Sequence, residues 1–217
     1  MSSIVVRNLS DQLVELVRER ILSGVVSADQ PIRQDALAAE LGVSKIPLRE
    51  ALTRLEQEGL LRSQANRGFF VRSLSAAEAE EVYALRLKLE PEAVALAAER
   101  ATEQERRLAV DLLAKLDVVT DQHSADVGAF NRAFHLAIIH PSGLTLTANF
   151  LERLHVVSQR YVKKHLEPLG RDERANEEHR RLLEAWLARD GRKVAELTAK
   201  HISQTLDDLR RQLAAER

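Results

Sequence analysis

One sixteen-residue stretch constrains the fold of this chain more than any other: Leu37-Ala-Ala-Glu-Leu-Gly-Val-Ser-Lys-Ile-Pro-Leu-Arg-Glu-Ala-Leu52. It reads as a helix, a tight turn and a second helix. Leu37, Ala38 and Leu41 supply a short apolar face. Gly42 can adopt the left-handed backbone that ends a helix abruptly. Ser44 is a good N-cap, and Pro47 falls in the first turn of the next helix, where a missing N–H costs little. Leu48, Ala51, Leu52 and Leu55 recur at helical spacing and predict one buried stripe. Lys45, Arg49 and Thr53 recur four apart on a different face. A helix that buries one side and shows a basic, hydrogen-bonding side suits the DNA major groove. The same spacing also fits an ordinary helical hairpin with solvated charges.

The residues that follow favour the first reading. Two short runs in Leu60-Leu-Arg-Ser-Gln-Ala-Asn-Arg-Gly-Phe-Phe-Val-Arg72 flank the turn signal Ala65-Asn-Arg-Gly68 and predict a small β-hairpin. Arg67 and Gly68 sit at its expected tip, with Arg62 and Arg72 on its arms. A hairpin beside a recognition helix is a wing, and a small Gly tip with an arginine suits the minor groove or the phosphates. An earlier helix, capped by Ser10 with Leu13, Val14, Val17, Ile21 and Leu22 inward and stopped at Ser23-Gly24, completes the unit. Residues 1–73 are thus expected to form a winged helix-turn-helix. Here the chain resembles the GntR family of bacterial transcription regulators, on "LGVSKIPLREALTRLEQEGL" and "NRGFFV". The basic helix face and the Gly-tipped wing predict DNA contacts by Arg33, Ser44, Lys45, Pro47, Arg49, Arg67 and Gly68, with Arg33 and Ser44 on phosphates. Lys45 and Ile46 stand where the family usually has Arg and Thr. Lys lacks the planar fork of Arg.

Charge is local more than global. The 217 residues carry a net charge of −1, which excludes a globally basic nucleic-acid coat. From Gly42 to Ser73, however, there are six basic residues against three acidic ones. That suits a reader that depends on placement. The absence of cysteine excludes disulfides and thiolate metal sites and agrees with a reducing cytoplasm. No apolar stretch is long enough to span a membrane, so no membrane partner is expected.

Past Ser73, Ala, Leu, Glu and Arg dominate. Ser75-Ala-Ala-Glu78 and Thr102-Glu-Gln-Glu105 are capping boxes. The first opens a helix to about Arg100, which Pro91 should kink or restart. Further helices are expected over about 127–140, 144–165 (stopped by Pro168 and Gly170) and 174–189, with a last one from Lys193. With the helix opened at Thr102, residues 74–217 read as an antiparallel six-helix bundle joined to the wing by a short junction, so the chain is mainly α.

The bundle carries a second chemical signal. Asn131 and His135 lie four apart on one helix and share a face with Ile138 and Ile139 nearby. His179 and His201 lie in the last two helices beside apolar residues at helical spacing. Three imidazoles and an amide oxygen suit a divalent transition metal, Zn or Ni, better than Mg²⁺ or Ca²⁺. Buried neutral histidines satisfied by hydrogen bonds give the same spacing. His123, His140, His155 and His165 show no partner pattern and read as surface or core-edge residues. The segments "NRAFH", "EEH" and "KHI" resemble the FCD ligand-binding domain of the FadR-like branch of GntR regulators. That resemblance implies a metal held by Asn131, His135, His179 and His201. Many relatives have Asp at position 131, and a neutral amide should bind the ion less tightly. Arg86, in "Tyr83-Ala-Leu-Arg-Leu-Lys-Leu-Glu90", is either half of a surface pair with Glu90 or an inward group. The resemblance implies the latter, on the carboxylate of a small organic acid effector.

Three functional readings follow. A ligand-responsive regulator would bind a double-stranded, palindromic DNA operator as a homodimer, and its effector would change the separation of the two wings. A metal-sensing regulator would use the same residues with the ion as signal. A His₃ metalloenzyme of hydrolytic type would need a general base, for which only Glu177 and Glu178 stand near. A winged helix serves no purpose in such an enzyme.

Overall fold

A computed structural model describes residues 9–26, 30–166 and 171–214. The fold is mainly helical, with a winged helix-turn-helix at the N-terminal end and a helical bundle after it. The chain divides into two compact units, Met1–Ser73 and Leu74–Arg217.

The first unit opens with α1 (Leu9–Leu22), which buries Leu13, Val14, Val17 and Ile21. Ser10 is not its cap. The helix already includes Leu9, and the buried Ser10 hydroxyl donates to Glu50 at 2.8 Å. Arg18 reaches across as a fork to both oxygens of Glu58, at 2.9 and 2.7 Å. Helix α2 (Gln34–Leu41) ends at Gly42, whose φ of 65° puts its N–H onto Ala38 and Ala39. This is the left-handed stop read from the sequence. Helix α3 (Lys45–Gln57) buries Leu48, Ala51, Leu52 and Leu55 completely. Ser44 has the extended backbone of an N-cap, but its side chain makes no capping hydrogen bond.

Strands β1 (Leu61–Gln64) and β2 (Gly68–Val71) pair antiparallel, Leu61 opposite Val71 and Gln64 opposite Gly68. The apex is therefore 65–67, with Asn66 at φ 60°. Gly68 opens β2 and does not stand at the apex. Its φ of 86° is what requires glycine there. Phe69, Phe70 and Val71 are all buried, against the alternation of a one-sided strand. Pro31 bridges to Phe70, and Ile32 donates to the Phe69 carbonyl at 2.8 Å, so β2 is covered on its second edge too.

The second unit holds α4 (Ala76–Arg100), α5 (Glu103–Asp121), α6 (Val127–Ile139), α7 (Thr145–Leu166), α8 (Arg171–Leu187) and α9 (Gly191–Ala214), with a 3-10 turn at His140–Ser142. Pro168 and Gly170, expected to stop the fourth bundle helix, and the His165 side chain lie outside the described residues. Helix α4 runs through Pro91 without a break and packs mainly along α9. Thr102 and Glu105 form the full reciprocal capping box. At Ser75 only half of one forms. Its hydroxyl accepts from the Glu78 N–H, while the Glu78 carboxylate takes Tyr161 at 2.7 Å and Arg160 at 2.9 Å. Arg106 gathers the Ala98, Ala101 and Leu187 carbonyls at the ends of α4 and α8. Trp186, Tyr83, Tyr161 and Phe134 are the largest buried side chains of the core. Among the described residues no helix is long and apolar enough to cross a membrane.

Candidate functional site

Helices α6, α8 and α9 bring His135, His179 and His201 together inside the bundle. Each offers a ring nitrogen, and these atoms lie within 4.8 Å of one another. All three rings are buried, with centroids 5.1 Å apart for His135–His179, 5.3 Å for His135–His201 and 4.8 Å for His179–His201. Asn131, one turn before His135 and half-buried, lines the same cavity.

Two carboxylates stand behind the rings. Glu178 accepts from His201 Nδ1 at 2.7 Å. That fixes the ring and leaves Nε2 as its available donor. Glu90, fully buried on α4, lies 3.5 Å from His135 Nδ1. Burial pushes the His135 imidazole down to about 3, so it stays neutral with a lone pair to offer. A transition ion with nitrogen bonds of about 2.0–2.1 Å separates its donors by about 3–4 Å. The ring nitrogens, within 4.8 Å of one another, lie close to that spacing. The donor set and its carboxylate backing therefore fit such an ion.

Arg86 is neither a surface residue nor a free inward group. It is buried and forks onto Glu90 at 2.9 and 3.3 Å, with its third nitrogen on Ser158 at 3.2 Å. The pair with Glu90 exists, but in the interior, and Arg86 still lines the cavity. Burial alone would raise the Glu90 carboxyl. The Arg86 guanidinium, the His155 ring that hydrogen-bonds to the carboxylate and the nearby His135 ring outweigh burial and hold Glu90 well below the usual carboxylate range.

His155 corrects the sequence reading outright. It is buried, donates from Nε2 to Glu90 at 3.1 Å, and its ring centroid lies 5.2 Å from that of His135. The signal was present: Leu151, Leu154, His155 and Ser158 follow the i, i+3, i+4, i+7 pattern of an inward stripe. The cavity holds about 30 Å³. That accommodates an ion with a water or two, by the roughly 10–15 Å³ each water needs. An acid of several heavy atoms enters only if the lining side chains move.

In the first unit Lys45, Arg49 and Thr53 are exposed on α3, and Pro47 is half-buried in its first turn. Lys45 pairs with Asp35 on α2. Arg33 is the exposed residue before α2, and Ser44 is exposed before α3. Arg67, at the hairpin apex, and Arg62 both lie over the Phe70 ring, at 5.5 and 4.9 Å.

A three-helix unit with a basic second hairpin helix and a β-hairpin wing, followed by a helical domain with three buried histidines around one cavity, defines a ligand-domain transcription regulator. Comparison with known families agrees. Residues 9–71 match the bacterial regulatory proteins of the gntR family, and residues 81–204 match the FCD domain. The chain belongs to the GntR family of transcription regulators and carries an FCD domain. It is 39% identical over 129 residues to the Nta operon transcriptional regulator of Aminobacter aminovorans, covering 59% of this chain and 60% of that relative. It is 31% identical to the HTH-type transcriptional regulator YdhC of Bacillus subtilis, covering 80% of this chain and 78% of the relative. The solved structure of E. coli McbR/YncC superposes with a TM-score of 0.82 at 28% identity, covering 98% of this chain and all of that one.

Proposed function

We propose that this regulator binds a palindromic operator as a homodimer through residues 1–73. Its helical domain, residues 74–217, would hold a divalent transition metal, zinc or nickel, in the FCD cavity. His135, His179 and His201 supply nitrogen donors and Asn131 an amide oxygen. A small carboxylated effector would complete the ion's coordination and meet Arg86, and its binding would modulate DNA affinity. The observation that carries this reading is the convergence of three buried imidazoles, two of them backed by Glu178 and Glu90. On the DNA side, Lys45, Arg49, Arg67 and Gly68 would read the grooves, with Arg33, Ser44 and the helix start at Pro47 on the phosphates. The exposed positions of Lys45, Arg49 and Arg67 support this assignment.

The cavity volume of about 30 Å³ favours a second reading, in which the ion is itself the signal. One experiment separates them. Thermal shift and operator binding are followed with metal alone, with chelator, and with a panel of organic acids at fixed metal. An acid that raises the midpoint only in the presence of metal and changes DNA affinity supports the effector reading. A change of DNA affinity with metal alone, indifferent to every acid, supports the sensor.

A further inference from the structure

The outward face of α3 carries an apolar residue at its N-terminal end and Gln57 at its C-terminal end. At about 100° of turn per residue, the buried Leu48, Ala51, Leu52 and Leu55 mark one side of the helix, and Ile46 falls almost diametrically opposite. Glu50 and Thr53 flank that central line, while Lys45 and Arg49 lie toward one edge. Both flanking polar groups already have partners within the chain. The Glu50 carboxylate accepts from Ser10 at 2.8 Å, and the Thr53 hydroxyl donates to the Arg49 carbonyl at 2.9 Å. Ile46 is different: it is 72% exposed and covers nothing. It stands with Arg49, Glu50 and Thr53 along one open groove of the surface.

An isoleucine on the first turn of a helix, aimed at solvent, forfeits its burial in the free protein. Its counterpart in the major groove is the thymine 5-methyl group, the one apolar feature presented there by the base edges. We infer that Ile46 is a specificity-determining residue that reads a thymine methyl in each half-site, beside the cationic contacts of Lys45 and Arg49. This rests on the proposal that α3 enters the major groove.

Selection of the full-length chain against a randomised duplex library gives the preferred site. Each thymine of that site is then replaced by deoxyuridine, which removes only the methyl. A single replacement at the read position of one half-site is expected to weaken wild-type binding by about four-fold, the value of one buried methyl. Ile46→Ala should fold normally, because its side chain is exposed, and should bind both versions equally. If every deoxyuridine replacement affects wild type and Ile46→Ala alike, or if none matters, Ile46 reads no methyl. Arg49→Ala serves as the separate control on the groove assignment. If it binds the selected site as wild type does, α3 is not the reading helix, and both ideas fall together.

Discussion

Glu90 ties three buried side chains to one carboxylate. It neutralises Arg86, accepts from His155 and stands behind His135. Removing one member of a buried ion pair leaves the other charged in the interior, which costs about 3–5 kcal/mol. Glu90→Ala is therefore expected to lower the unfolding free energy of the helical domain by about 3–5 kcal/mol, read as a lower midpoint in denaturant melts. An unshifted midpoint would show that Arg86 has another counter-ion. Glu90→Gln keeps the volume and an acceptor, and is expected to weaken zinc binding by about 10–100-fold in chelator competition, because the backing of His135 is lost. Sequence spacing showed Arg86 and Glu90 four apart but could not say which way they face. An Arg–Glu pair at that spacing is ordinarily solvated, and only the packing of α7 against α4, which brings Ser158 and His155 to them, makes it interior. The inward positions of His135, His179 and His201 were legible from apolar neighbours at helical spacing, while their grouping with Asn131 came from the FCD resemblance. The inward stripe around His155 carried the same mark.

Among the elements, the helix ends separate residue type from actual bonding. Thr102 and Ser44 both read as N-caps, and only Thr102 makes the bond. Thr102→Ala is expected to cost about 0.5–2 kcal/mol, and Ser44→Ala markedly less, in the same urea melts. Equal losses would mean that Ser44 caps α3 in solution. The helix-turn-helix, the wing and the bundle helices were legible from Gly42, the hairpin signal and the capping sequences. What escaped depends on partners distant in sequence. Ser10 serves Glu50 forty residues away, Glu78 serves Tyr161 and Arg160 in place of its own helix end, and Ile32 closes the second edge of β2. Gly68 was correctly singled out as a residue type, but its requirement is the backbone angle at the start of β2 and not small size at the apex.

For the whole molecule, a two-fold operator demands a two-fold protein. Sedimentation at micromolar concentration is expected to show a dimer, with two chains bound per operator, and a monomer bound singly would refute it. The central claim is the metal in the FCD cavity, and it is tested most directly by metal content. Full-length protein stripped with chelator and reloaded with zinc should retain one ion per chain after dialysis. His179→Ala should retain none while still binding the selected operator, because the winged unit has its own core of Leu48, Leu52, Leu55 and Leu60. Wild-type protein that retains no zinc or nickel, or His179→Ala that retains as much as wild type, would contradict the account.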